Sequence, residues 1–140
     1  MYNYWEPVHL LTQTHGKDTA FETWEYVPQY AIRSWAYAAM HATVPYLVTR
    51  MSSLPPYAAF YALRFALAVL SSVSDALLYE QVARYVHVRV ARYLLVFLTV
   101  CAGMLSASTA LLPSSFVMYT TSVAMAFAMQ PASTQAWRRT

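Results

Sequence analysis

The sequence predicts an all-α fold, an integral membrane helical bundle carrying a polar headpiece. Three observations predict it. Of 140 residues, 59% are apolar and only 11% charged, with a mean hydropathy of +0.35, whereas soluble domains carry about 25% charged residues. The run from Tyr93 to Trp137 contains no Asp, Glu, Lys or Arg. At about 20 residues per crossing it can hold two membrane spans. The first third has the opposite character, with rings alternating with Glu and Arg at Tyr2-Asn3-Tyr4-Trp5-Glu6-Pro7, Thr23-Trp24-Glu25-Tyr26 and Ala31-Ile32-Arg33-Ser34-Trp35. The soluble alternative is a very apolar helical bundle, but a buried globular helix rarely needs so long an uncharged run.

Residues 1–55 read as the headpiece, with interfacial amphipathic helices. Val8 to Thr14 reads as one short helix, and Gly16-Lys17-Asp18 as a turn. Pro28 is expected to open a second helix that Pro45 interrupts. Its Ile32, Trp35, Ala36 and Ala39 share one face by the helical period. Trp and Tyr are favoured at a membrane interface. Pro55-Pro56 marks a boundary.

Residues 56–130 read as about three spans, near 57–78, 91–112 and 115–129, with Pro113, Ser114 and Ser115 between the last two. The first carries Arg64 and Asp75, and ionisable groups within a span usually face protein or water. Eleven residues apart, they share a side but lie about 16 Å from each other along the axis, too far for an ion pair. Either Arg64 reaches a lipid phosphate from inside the bundle, or both charges snorkel to opposite interfaces and set depth. The second reading is preferred.

Charge orients these spans. The headpiece has Lys17, Arg33 and Arg50 against Glu6, Asp18, Glu22 and Glu25, one net negative charge. The loop with Glu80, Arg84, Arg89 and Arg92 and the tail with Arg138 and Arg139 are both net positive. The positive-inside rule makes loop and tail (131–140) cytoplasmic and puts the headpiece on the other side with the Pro113-Ser114-Ser115 turn. The net charge of +3 is scattered, and Gly16 and Gly103 are the only glycines. Basic clusters and phosphate-cradling loops are therefore lacking, and nucleic-acid binding is disfavoured. Cys101 stands alone in an apolar run and reads as a small core residue. The first residues, aromatic and acidic, are not expected to act as a signal peptide. Asn3, the only asparagine, is followed by Tyr4-Trp5 and is no glycosylation acceptor.

The combination Asn3-Tyr4-Trp5-Glu6-Pro7, Thr23-Trp24-Glu25-Tyr26 and Tyr30-Ala31-Ile32-Arg33-Ser34 resembles the first lumenal loop of glycosyltransferase family 22. Within it, the likeness is to the dolichyl-phosphate-mannose-dependent α-1,2-mannosyltransferases of asparagine-linked glycosylation. Leu111 to Thr121 is also similar to that family. The resemblance runs from Tyr2 to roughly Phe127, and the last residues, Gln130 to Thr140, depart from it. Mannosyltransferases of GPI-anchor synthesis have a similar loop with a different sequence around the Trp and Pro.

The resemblance implies a partial GT-C-type fold in the endoplasmic reticulum membrane, multi-pass. The implied donor is dolichyl-phosphate-mannose and the acceptor a lipid-linked oligosaccharide, joined in α-1,2 linkage without a cofactor or metal. Inversion at the sugar carbon needs a carboxylate base to take the proton of the attacking hydroxyl, and donors near the leaving phosphate. The family's acidic pair precedes the Tyr-Asn-Tyr-Trp-Glu-Pro equivalent, ahead of Met1. The catalytic base therefore falls on no residue of this chain. The chain is expected to be a fragment, truncated at both ends and inactive alone.

The substrate-binding candidates are Trp5, Glu6, Trp24, Glu25, Tyr26, Arg33 and Ser34. Glu6 belongs to the matched motif and reads as a substrate or scaffold contact. Trp5, Trp24 and Tyr26 either stack on sugars or pack the loop onto the membrane surface, and packing is preferred. Glu25 either accepts from sugar hydroxyls or pairs with Arg33. The fork of Arg33 suits a phosphate, and a structural ion pair is an equal reading. His9 and His15 match no common zinc spacing. Ser114 and Ser115 are expected to satisfy the turn and cap the third helix. The rival from another class is a small helical membrane protein with a structural or partner-binding role and no catalysis.

Overall fold

The computed structural model describes residues 2–12, 21–51 and 56–130. Among them there are six helices and no strand. They are α1 (Tyr2–Thr12), α2 (Trp35–Met51), α3 (Pro56–Tyr85), α4 (Val88–Val100), α5 (Ala102–Ala107) and α6 (Pro113–Ala128). The expected turn at Gly16-Lys17-Asp18, His15, Pro55 and the tail 131–140 lie outside the described residues. The chain forms two compact units, Met1–Leu67 with Ala110–Pro113, and Ala68–Thr109 with Ser114–Thr140.

In the first unit α1 packs against α2. The buried residues of α2 are Ala38, His41, Ala42 and Pro45, the i, i+3, i+4, i+7 stripe of one helix face. Two alanines in that stripe leave room for a neighbouring backbone, and α1 buries Pro7 and Val8. Trp5 meets Phe60 of α3 edge-on, 5.0 Å between ring centroids. The first part of α3 buries Ala59, Leu63 and Leu67 at four-residue spacing.

Two sequence expectations are corrected here. Residues 28–30 form a turn, and α2 begins only at Trp35. The Ser34 hydroxyl accepts the Ala36 N–H at 3.2 Å, so the polar cap, rather than the proline, starts the helix. Pro45 does not interrupt α2, which continues to Met51. A proline removes one helical hydrogen bond and crowds the preceding turn, and here its ring is fully buried in the stripe that packs the helix.

In the second unit the later part of α3 buries Ser71, Ser74, Leu78, Gln81 and Val82. Leu78, Val82 and Ala91 form its core, with Tyr79, Ala83, Leu94 and Met129 against them. The turn from α3 to α4 is closed by the Val82 carbonyl, which accepts from the Val86 and His87 N–H groups. The His87 ring caps α4 by accepting the Arg89 N–H. The stretch expected as one helix over 91–112 is broken at Cys101, whose ψ of 112° is extended. The carbonyl of Cys101 then starts α5, accepting from Met104 and Leu105.

α6 is tied back to the end of α5. The Ser115 hydroxyl donates to the Ala107 carbonyl at 2.7 Å, and the Tyr119 hydroxyl donates to the Ser108 carbonyl. Both side chains are buried. They satisfy carbonyls that the end of a helix leaves unpaired. Ser115 therefore closes the preceding helix instead of capping its own.

α3 is long and apolar enough to cross a membrane, and 28% of its most apolar stretch is buried. Tyr57, Tyr61, Phe65, Val69 and Val73 on α3 and Tyr93, Val96, Phe97 and Val100 on α4 are exposed. Both helices therefore carry extended apolar faces that the described residues leave uncovered.

Candidate functional site

The three headpiece motifs converge in the first unit. After α1 the described chain resumes at Phe21 and turns twice. The Tyr26 N–H donates to the Thr23 carbonyl at 2.9 Å, and the Tyr30 and Ala31 N–H groups donate to Val27 at 3.0 and 2.9 Å. Ala31 has φ 44°, the left-handed region that costs a residue with a Cβ about 1–2 kcal/mol. The reversal brings the Ile32 and Arg33 N–H groups onto the Glu25 carbonyl at 3.1 and 3.3 Å.

Arg33 thus returns beside the second motif. Its Nη1 lies 2.8 Å from Glu25 Oε2, with side chains 29% and 10% exposed. The approach is an ion pair too poorly aligned for a hydrogen bond. The guanidinium also sits 4.4 Å from the centroid of the Tyr4 ring, within cation–π range. Tyr4 in turn meets Tyr37 edge-on at 5.9 Å. One residue from each motif, Tyr4, Glu25 and Arg33, therefore makes a single cluster.

The other candidates are distributed around it. Tyr26 is buried and its ring lies 4.5 Å from that of Trp35. Burial pushes its hydroxyl above the ordinary value of 10.0, against a pull downwards from Arg33. Trp5 stacks on His9 at 6.1 Å and meets Phe60. Trp24 is exposed and pairs edge-on with exposed Tyr30 at 6.0 Å. Those two rings form an outward aromatic pair, whereas Trp5 and Tyr26 are held inside the packing. The Glu6 Oε2 atom is buried without a hydrogen bond, and His9 Nδ1 is 3.9 Å from it. Ser34 caps α2.

Sequence reasoning missed Tyr4, Tyr30 and Ala31. Tyr4 stands inside the first motif, and its ring beside two charged motifs was the available signal. Ala31 offered none, because alanine does not favour positive φ. Among the described residues no group of three His, Cys, Asp or Glu side chains is placed to hold a metal ion.

Comparison with known proteins matches residues 1–138 to the model of the Alg9-like mannosyltransferase family, so the match runs past Gln130, where the sequence was expected to depart from the family. The chain is 43% identical over 124 residues to the human alpha-1,2-mannosyltransferase ALG9, covering 89% of this chain and 20% of that protein. It is 44% identical over 135 residues to the Schizosaccharomyces pombe alpha-1,2-mannosyltransferase alg9, covering 96% of this chain and 22% of that protein. Against the Saccharomyces cerevisiae ALG9 the identity is 33% over 117 residues, covering 84% and 20%. The chain spans about a fifth of the length of the curated relatives it matches. No solved structure matches it. The match runs through all three headpiece motifs and the helices after them, and the chain belongs to the Alg9-like mannosyltransferase family.

Proposed function

We propose that these residues form the lumenal headpiece and following spans of an α-1,2-mannosyltransferase of protein N-glycosylation. The reading has mannose pass from dolichyl-phosphate-mannose to a lipid-linked oligosaccharide in the endoplasmic reticulum membrane. The observation that carries it is the convergence of Tyr4, Glu25 and Arg33, one from each family-like motif, on one cluster. In this reading residues 1–55 face the lumen. About three spans of a GT-C-type bundle follow within residues 56–130, and residues 131–140 are cytoplasmic. The apolar length of α3 supports a membrane setting.

The chemistry is an inverting displacement. The acceptor hydroxyl oxygen attacks the anomeric carbon, the bond to phosphate oxygen breaks, and a carboxylate takes the hydroxyl proton. Arg33 stands at the leaving phosphate, where guanidinium N–H donors stabilise the charge that develops. Trp24 and Tyr30 offer faces to a sugar, and Glu6 and Glu25 are acceptors for its hydroxyls. This reading leaves the base unassigned and expects no mannosyl transfer from the chain by itself.

Purified chain supplied with labelled dolichyl-phosphate-mannose and lipid-linked acceptor should show no transfer above blank. The Schizosaccharomyces pombe relative, with its matching segment replaced by residues 1–127, should transfer mannose. A swapped protein that inserts at normal level yet transfers none would refute the reading. Turnover by the chain alone would place the base within these residues.

A further inference from the structure

We propose that Tyr4, Glu25 and Ala31 are positioning residues that preset Arg33 to take the phosphate of a polyprenyl-phosphate-linked sugar before the substrate arrives. The proposal rests on the mannosyl-transfer reading above and names the part of the headpiece that makes it selective for the phosphate.

An arginine side chain loses conformational entropy when it is fixed. Fixing it beforehand removes that cost from the binding step. Arg33 is fixed from two directions. Glu25 Oε2 holds Nη1 at 2.8 Å, and the Tyr4 ring lies 4.4 Å from the guanidinium carbon. The carboxylate engages through a single oxygen–nitrogen approach rather than a two-pronged fork. Of the five N–H donors on a guanidinium, several are left for another anion.

The backbone adds an independent observation. Ala31 is the only non-glycine residue with positive φ among the described residues. Its side chain has no need of that conformation, and strain of this kind persists only where the surroundings impose it. Its consequence is local: two residues later the Arg33 N–H is bonded to the Glu25 carbonyl. The left-handed turn is what returns Arg33 to the residue that clamps it. α2 then opens two residues after Arg33, with no acidic residue in its first turn. The N-terminal end of α2 carries a partial positive charge close in sequence to the guanidinium. Glu25 offsets one unit of charge, so selectivity rests on directed donors more than on net charge.

The test uses the full chain in phosphatidylcholine nanodiscs, titrated with a C10 prenyl monophosphate and, as control, the C10 prenol. Tryptophan fluorescence reads binding, and thermal unfolding reads stability. The phosphate should bind in preference to the alcohol, and Arg33→Lys should weaken it about tenfold by losing the planar fork. Ala31→Gly should raise the unfolding midpoint while weakening phosphate binding about three- to tenfold. Tyr4→Leu should weaken binding, with Tyr4→Phe retaining it. A merely structural clasp would move stability and binding together. If wild type fails to distinguish phosphate from alcohol, the phosphate reading fails and this proposal with it. If Arg33→Lys weakens binding but Ala31→Gly binds as wild type does, presetting is overturned and the phosphate reading stands.

Discussion

The Arg33 guanidinium lies 2.8 Å from the Glu25 carboxylate, although eight positions separate the two in the chain. Glu25 is nearly buried and Arg33 only partly exposed. Removing one partner leaves the other charge poorly solvated, which costs more than the pair itself contributes. Arg33→Met and Glu25→Gln should each lower stability by about 1–3 kcal/mol. The double variant should lose less than their sum, and unfolding midpoints of the four proteins in detergent close that cycle. Additive losses would mean that the two residues do not interact.

Ala31 is expected to respond in the opposite sense. Glycine removes the Cβ penalty at φ 44° but gains freedom in the unfolded chain. The net should be a stabilisation of up to about 1 kcal/mol. Ala31→Val should destabilise, because a β-branched side chain tolerates this region least. Thermal unfolding of both variants beside the parent checks the pair of signs.

Tyr26 sets a dependence at alkaline pH. Burial raises its folded-state value above 10.0, with Arg33 opposing. The folded protein therefore holds the phenolic proton more tightly than the unfolded chain. That contribution is complete below the unfolded value of about 10 and is lost as pH rises through the folded value. Between pH 9 and 11.5, wild type should lose more stability than Tyr26→Phe. Parallel unfolding curves for the two would contradict this assignment.

The ties from α6 to α5 should be measurable in the second unit. Ser115→Ala leaves the Ala107 carbonyl without its donor, and Tyr119→Phe does the same at Ser108. Each should cost about 1–2 kcal/mol. Thermal unfolding in detergent, supported by proteolysis between Ala107 and Pro113, reads the loss.

Much of the architecture follows from composition and pattern. The all-helical class and a helix long enough to cross a membrane are legible in the apolar fraction and in the run after Pro56, where Arg64 and Asp75 are the only charges before Glu80. The Glu25–Arg33 pairing was one of two sequence readings. The structure makes the pair and still leaves Arg33 partly exposed. Element boundaries were less legible. Pro28 and Pro45 are strong local signals, but Ser34 supplies the helix start, and α2 continues through Pro45 with that ring buried. The break at Cys101 lies in an unpunctuated apolar run. The bonds from Ser115 and Tyr119 reach back eight and eleven residues, beyond any local periodicity. Ala31 was illegible for a related reason: its left-handed backbone serves contacts of Glu25 and Val27, and nothing in its own side chain announces it.

The most direct test concerns Arg33 in the Schizosaccharomyces pombe relative carrying residues 1–127 of this chain. The measurement is initial mannosyl transfer from dolichyl-phosphate-mannose, normalised to protein in the membrane, for that swap with and without Arg33→Ala. Loss of a donor at a developing negative charge costs about 10²–10³ in turnover. The account predicts a loss of that size with the protein still inserted at its normal level. Turnover unchanged by Arg33→Ala would contradict the claim that the headpiece cluster serves mannosyl transfer.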